Sequence, residues 1–305
     1  MGANHELDLC ICVGRCRDPL TSSITQIEDI VLQDDIRGMK ALREHMKDGW
    51  LDSSAQLLLD RPGKVLIATG FYILRAGEPE TDGPPGAVAI GDALKALGGT
   101  VAYVTDEKSS TAMRAIAGDD EVIEFPITNH KESMEFAHDL LVKHAPSALV
   151  SIERAGLVGD GTYRNWKGVD FSEHNAKIDH MFEQHPHSVG IGDGGNEIGM
   201  GNMRDVIPDI ENLPDDPCTT TTTELIIASV SNWGGYGLVA ALSIKTGKNM
   251  LPSVEKGHEW VTDIVAVGAV EGMSGESKDW VDGRAPEDDA MCLRDLHELL
   301  AAEGL

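Results

Sequence analysis

Asp193, Asn196 and Glu197 fall inside one glycine-rich run, Gly190-Ile191-Gly192-Asp193-Gly194-Gly195-Asn196-Glu197-Ile198-Gly199-Met200-Gly201-Asn202. Two carboxylates and an amide held together can move protons, hold a cation or polarise a carbonyl. Glycine costs backbone entropy, so this density implies special dihedrals or a ligand brought against the main chain. A second run, Gly77-Glu78-Pro79-Glu80-Thr81-Asp82-Gly83-Pro84-Pro85-Gly86, carries further carboxylates ahead of a helical pattern. There Thr81 or Asp82 can cap the helix, and Pro84 suits its first turn. The N–H groups of Gly83, Gly86 and Ala87 would then face outward as an anion site. A third run, Ile152 to Tyr163, puts Glu153 and Arg154 at the exit of an apolar stretch, and a fourth, Val230-Ser231-Asn232-Trp233-Gly234-Gly235-Tyr236-Gly237, offers aromatic walls.

Several familiar chemistries are absent from these runs. No Gly-Lys-Ser/Thr follows the glycines, so there is no P-loop, and Gly192-x-Gly194-x-x-Glu197 lacks the third glycine of a dinucleotide fingerprint. No nucleotide is expected. No Gly-x-Ser-x-Gly elbow and no HExxH pair occur. Cys10-x-Cys12-x3-Cys16 matches no common zinc spacing and reads as idle thiols. The odd total of five cysteines fits a reducing compartment.

The elements that must position these runs alternate. Lys64–Phe71, Thr100–Thr105, Glu121–Ile127, Ser147–Ile152, Ser188–Gly192 and Glu224–Val230 are short apolar runs that read as buried strands. Between and after them, Ala87–Leu97, Ser109–Ala117, Lys131–His144, Glu173–Gln184, Gly235–Ile244, His258–Val270 and Asp288–Leu300 read as helices. Alternation at this interval predicts an α/β fold, an open, doubly wound, mostly parallel sheet with helices on both faces. Residues 1–60 read as an extra, mainly helical N-terminal segment packed on the core, with helical spacing at Ile24, Ile27, Val31 and Leu32. Residues 61–305 form the α/β domain in this reading. In such sheets ligands bind beyond the carboxyl ends of the strands, where all four runs lie.

Lysine plus arginine number 25 and aspartate plus glutamate 51, a formal charge of 25 − 51 = −26. That balance argues against nucleic acid and against an anionic membrane as partners. It points instead to a protein of a salt-loaded cytoplasm, where the Debye length falls to about 3 Å. The start, Met1-Gly2-Ala3-Asn4-His5-Glu6, has neither a basic nor an apolar targeting region, and no apolar run approaches the length of a membrane span. A cytoplasmic protein acting on a small molecule is expected, and a homo-oligomer is compatible with the composition.

Taken together the runs resemble one family, the C-terminal domain of the D-glutamate cyclases. The resemblance rests on Glu80-Thr81-Asp82-Gly83-Pro84-Pro85-Gly86-Ala87, Ser151-Ile152-Glu153, Asp160-Gly161-x-Tyr163, Gly192 to Gly201, Ser231-Asn232-Trp233-Gly234-Gly235-Tyr236 and Val281-Asp282-Gly283, and spans residues 24–286. It implies a hydro-lyase that cyclises D-glutamate to 5-oxo-D-proline as the amine attacks the side-chain carboxyl. Folding the substrate into a near-attack shape is then the main task, with donors for the oxyanion and a proton for the departing hydroxyl. The expected catalytic set is Asp193, Asn196, Glu197, Asp82 and Glu153. Asp193 or Glu197 serves as base and acid, and the N–H groups of Gly194 and Gly195 serve with the Asn196 amide as donors. The expected substrate-binding set is Thr81, Gly83, Gly86, Gly194, Gly195, Arg154, Asn232 and Tyr236. Such carboxylates leave room for a divalent metal, Mg or Mn, although no ligand set is readable. The rival readings are a non-catalytic binding module for a small amino acid or anion, and an enzyme on another amino-dicarboxylate. A pure anion binder would collect Arg and Lys, whereas these runs hold only Arg75, Arg154, Arg164 and Lys167 nearby.

Overall fold

A computed structural model describes residues 19–305. The cysteine run Cys10 to Cys16 lies outside the described residues. The strands of the main sheet are β1 (Lys64–Thr69), β4 (Thr100–Thr105), β5 (Glu121–Glu124), β6 (Ala148–Ile152), β7 (Ser188–Gly192) and β8 (Glu224–Ile227), with β2 (Tyr72–Ile73) and β3 (Glu78–Pro79) forming a separate short hairpin. The order across the sheet is β5-β4-β1-β6-β7-β8, and every neighbouring pair is parallel. The chain builds one half outward from β1, then returns to the other side of β1 to build the second. The order therefore reverses between β1 and β6, and that switch point opens a crevice at the strand ends.

The helices are α1 (Pro19–Val31), α2 (Trp50–Leu59), α3 (Pro84–Ala96), α4 (Ser110–Ile116), α5 (His130–His144), α6 (Asp179–Glu183), α7 (Ser231–Thr246), α8 (Val254–Ala266) and α9 (Pro286–Ala302). Strand residues alternate between two cores. Val65, Ile67, Val150, Val189 and Ile191 pack on one face with α1, α2, α3, α7, α8 and α9, and Leu66, Ala68, Val104 and Leu149 pack on the other with α5 and α6. α7 lies at the centre of the thicker layer, where Trp233, Leu238, Val239, Ala240 and Leu242 are fully buried. α1 and α2 pack directly on α7, so Ile27, Val31, Leu32 and Leu51 belong to the same core as the sheet.

Several boundaries shift, as for the helix expected over His258–Val270, which is α8 (Val254–Ala266), and two of the differences have a physical reason on view. The helix expected over Glu173–Gln184 is broken into a 3₁₀ turn, Ser172–His174, and the short α6. The break is tertiary: Asp106 Oδ2 accepts from the Ala176 N–H (3.2 Å) and the Ala176 carbonyl accepts from Arg154 (2.9 Å). Those two backbone groups are thereby withdrawn from any helical ladder. Conversely α7 begins at Ser231, four residues before the expected Gly235, because its first N–H groups are capped from a distant loop.

Candidate active site

Beyond β1 the β2–β3 hairpin returns the chain to the sheet, and its exit is pinned. The Glu80 N–H donates to Phe71 O (3.0 Å), the Thr81 N–H to Val270 O (3.0 Å), and Thr81 Oγ1 to Trp280 O (2.6 Å). Gly83 then takes φ +98, and a Cβ there would stand 2.7 Å from both Glu153 Cβ and Thr69 Oγ1. Only glycine fits such a position. Asp82 and Asn232 next cap each other's helices. Asp82 accepts from the Ser231 N–H (2.9 Å) and the Asn232 N–H (2.8 Å) at the start of α7, while Asn232 Oδ1 accepts from the Gly83 N–H (3.0 Å) and the Gly86 N–H (2.8 Å) at the start of α3. The positive end of α7 thus faces Asp82 and also Asp193, whose Oδ2 accepts from the Ser231 N–H (3.1 Å).

The ends of β6 and β7 supply the rest. Glu153 takes φ +45, a left-handed conformation that costs a non-glycine residue energy, and its Oε2 accepts from Ser231 Oγ (2.5 Å). Glu197 folds back so that Oε1 accepts from the N–H groups of Asp193 (3.1 Å) and Gly194 (2.6 Å). The two loops are stitched by the Gly156 N–H to Asn196 O (2.8 Å) and the Ile198 N–H to Arg154 O (2.9 Å).

The cation that meets the carboxylate cluster comes from the N-terminal segment. Asp35 accepts from the N–H groups of Arg37 (3.0 Å), Gly38 (3.0 Å) and Lys40 (2.8 Å), which fixes the turn after α1. Arg37 is thereby aimed inward and pairs with Asp193 and, at 2.7 Å, with Asp282. One guanidinium therefore faces six buried carboxyls, Glu80, Asp82, Glu153, Asp193, Glu197 and Asp282.

Six negative charges cannot be stable around one positive charge in a desolvated site. Burial, then the charge of Asp282, lifts Asp82 to about 7, against the pull of its N–H donors. Glu80 is held well above its ordinary range by burial and then by Asp282 and Asp82. Glu153 is raised by burial and by Glu197, Glu80 and Asp82. Asp193 is raised by burial, with Arg37 opposing. Glu197 is raised by burial, with the backbone donors opposing. Such a cluster must take up protons or a cation.

A cavity of about 300 Å³ opens onto it, lined at the floor by Arg37, Glu80, Glu153, Asp193, Asn196 and Glu197 and on the walls by Phe71, Tyr72, Ile73, Trp166, Val169 and Met273. Two carboxylate triads, Asp82–Asp193–Asp282 and Glu153–Asp193–Glu197, each bring their oxygens within 4.8 Å of one another. The first is already occupied by N–H donors and by Arg37. The second lines the cavity, and its Glu197 Oε2 is buried without a hydrogen-bond partner. An all-oxygen triad of this kind fits Mg or Mn.

Of the residues expected from sequence, Asp193, Asn196, Glu197, Glu153 and Gly194 line the cavity. Asp82 joins their carboxylate cluster from behind, without lining the cavity. The others are engaged elsewhere. Arg154 is spent on Asp106 (2.5 Å), Gly70 O (2.8 Å) and Ala176 O, which makes it a buried strut. The anion site expected at Gly83 and Gly86 is filled by Asn232, so Asn232 serves as a cap. The Gly194 N–H, expected to stabilise an oxyanion, is committed to Glu197. Gly195 takes φ +87, and its missing side chain faces Pro214 and Ile207. Thr81 is tied to Trp280, and Tyr236 is buried within α7. Asn196 lines the cavity, but its Nδ2 donates to Arg164 O (3.1 Å).

Sequence reasoning missed Arg37, Glu80 and Asp282. Glu80 and Asp282 sit inside runs that were singled out, two residues from Asp82 and between Val281 and Gly283. Nothing in the local spacing marks Arg37.

The family described as D-glutamate cyclase-like, C-terminal, matches residues 27–297. The chain is 37% identical over 210 residues to the human protein D-glutamate cyclase, mitochondrial, an alignment covering 62% of this chain and 34% of that protein. The chain thus spans about a third of that relative's length. Among solved structures, RecJ of Thermus thermophilus in complex with Mn2+ aligns with 83% of this chain and 29% of its own, at 14% identity and a TM-score of 0.37, too slight a likeness to bear on function. Among the described residues, no helix is long and apolar enough to cross a membrane.

Proposed function

The chain belongs to the family of D-glutamate cyclase-like C-terminal domains, and from that premise we propose that it is a hydro-lyase converting D-glutamate to 5-oxo-D-proline and water. The observation that carries the reading is the convergence of Glu80, Glu153, Asp193 and Glu197, all buried, on one cavity.

The reaction joins the amine nitrogen to the γ-carboxyl carbon and breaks a bond from that carbon to oxygen. No proton is gained or lost overall: the two protons that leave the ammonium depart on the oxygen as water. One group within reach of both atoms can therefore do the proton work. Glu80 suits it, since it lines the cavity and its buried Oε1 has no hydrogen-bond partner. An ordinary carboxylate is too weak a base for an ammonium. Burial and neighbouring carboxylates raise Glu80 and bring it closer to the amine. Glu80 takes a proton from nitrogen and gives it to the departing hydroxyl. Glu153, Asp193 and Glu197 would hold a Mg or Mn ion, which supplies Lewis-acid polarisation of a carboxyl oxygen when bound. Arg37 keeps Asp193 in place and offsets part of the negative charge. The apolar walls hold the methylenes and limit water, which favours a dehydration. A floor of carboxyls speaks against a pure anion-binding module, which would place cations there.

The test is incubation with D- and L-glutamate and both 5-oxoproline enantiomers, with and without Mg or Mn, followed by chiral chromatography. Conversion of D-glutamate that falls about 100-fold or more in Glu80→Gln is expected for loss of a general acid–base group. No interconversion under any of these conditions would overturn the assignment.

A further inference from the structure

The substrate proposed above carries a second carboxylate that takes no part in the chemistry, and the product retains it. That group cannot lie on the cavity floor, where Glu80, Glu153, Asp193 and Glu197 already crowd. It needs a cation that is not already committed, in a chain that carries a net −26.

Three cations line the cavity. Arg37 is committed to Asp193 and Asp282. Arg75 and Lys167 differ in that neither meets a carboxylate among the described residues. Arg75 stands in the β2–β3 hairpin, where its Nη2 donates to the backbone carbonyls of Met273 and, at 3.2 Å, Gly272, both residues of the cavity wall. Those bonds fix the guanidinium at the rim and leave Nη1 for a ligand. Lys167 stands in the long loop after β6, with Nζ 4.7 Å from the centroid of the Trp166 ring, itself a lining residue. A lysine that stacks on an aromatic face is held without losing its charge. Some exposed cations elsewhere pair with acids, as Arg114 does with Glu124 and Lys256 with Glu259, and others do not, but Arg75 and Lys167 are the ones that line the cavity with no acid partner among the described residues. Two unpaired cations on separate loops of one cavity, above a floor of opposite sign, form a binding polarity.

We infer that Arg75 and Lys167 clamp the non-reacting α-carboxylate of the substrate and so restrict the site to small amino-dicarboxylates, directing the other carboxyl to the floor. This inference rests on the cyclase reading for its substrate but not for its electrostatics. The clamp also supplies the local attraction that an acidic protein otherwise denies to an anion.

The test compares D-glutamate with D-isoglutamine, whose α-carboxylate is an amide, in the full chain and in Arg75→Met and Lys167→Met. Each variant should lose about tenfold in kcat/KM on D-glutamate, the size expected when one charge-assisted contact is removed. The loss should fall on KM. On D-isoglutamine, already about a hundredfold poorer with the full chain because both contacts are lost, each variant should differ little from it. Equal losses on both substrates, or none on D-glutamate, would overturn the clamp. Binding of unreactive glutarate, followed by calorimetry, separates this inference from the cyclase reading. If D-glutamate is not turned over but glutarate binding weakens about tenfold in both variants, the clamp stands and the reaction assignment falls. Unchanged glutarate affinity removes the clamp whatever the turnover.

Discussion

Replacing Asn232 by alanine separates two roles that its place in the Ser231–Tyr236 motif leaves confounded: a contact to substrate, and a cap between two helices. Its Oδ1 accepts from the N–H groups of Gly83 at 3.0 Å and Gly86 at 2.8 Å, and all these groups are buried. Truncation leaves the Gly86 N–H without an acceptor, at about 1–3 kcal/mol, while the Gly83 N–H keeps Asp82 Oδ1 at 2.9 Å and loses only its second acceptor. The Ser231 and Asn232 N–H groups keep their acceptor on Asp82, so the start of α7 survives and the loss is confined to α3. A total of about 2 kcal/mol follows. At about 2.1 cal/mol/K per residue, a chain this long has an unfolding entropy near 0.6 kcal/mol/K, so the midpoint should fall by about 3 °C. The measurement is thermal unfolding by circular dichroism in molar potassium chloride, beside D-glutamate saturation at a temperature where the variant is folded. A midpoint within about 1 °C of the parent, combined with a large rise in KM, would refute the cap and return Asn232 to the substrate.

Three further outcomes are expected. Asp289 accepts from Trp233 Nε1 at 2.9 Å, and burial lifts it from 3.8 to about 6. The folded state therefore favours its protonated form, and stability is lost as pH rises through that window, with a ceiling of about 3 kcal/mol reduced by the partial exposure of the residue. Asp289→Asn should melt higher than the parent at pH 7.5, with the gap closing by pH 4, and a gap independent of pH would contradict the burial argument. Gly195→Ala should lower the midpoint by several degrees, since a Cβ there meets Pro214 at 3.0 Å with φ at +87; an unchanged midpoint would show that the loop adapts freely. Raising potassium chloride from low to molar concentration should raise the midpoint by relieving repulsion among exposed acids such as Asp205, Asp209, Glu211 and Asp215. A flat or falling midpoint would count against adaptation to a salt-loaded cell.

Strands were legible where burial on both faces imposes an apolar run: Thr100–Thr105 and Ser188–Gly192 coincide with β4 and β7 residue for residue. Legibility ended where a distant group decides local structure. Ala176 looks helical by itself, but Asp106 and Arg154 hold its backbone in another conformation. The early start of α7 depends on Asp82, which no window around Ser231 contains. The site divides in the same way. Asp193 and Glu197 announce themselves by the glycines around them, because a loop at a strand end needs those glycines to aim its side chains. Arg37 stands in a stretch that reads as helical and carries no such signature, and only the folded chain reveals that it meets Asp193.

Arg37 has a further consequence, one of timing. It lies far ahead of its partners Asp193 and Asp282 in the chain, so a growing polypeptide carries the cation long before either carboxylate exists. Long-range contacts of this kind form late, after the closure entropy of the intervening chain has been met. Without Arg37 the carboxyls of these strand-end loops would face one another with no cation between Asp193 and Asp282. The site is therefore complete only when Arg37, Asp193 and Asp282, from distant parts of the chain, are all in place. A chain cut short ahead of Asp282 should keep every strand, since the last ends at Ile227, and yet lack one of the two carboxylates that hold Arg37.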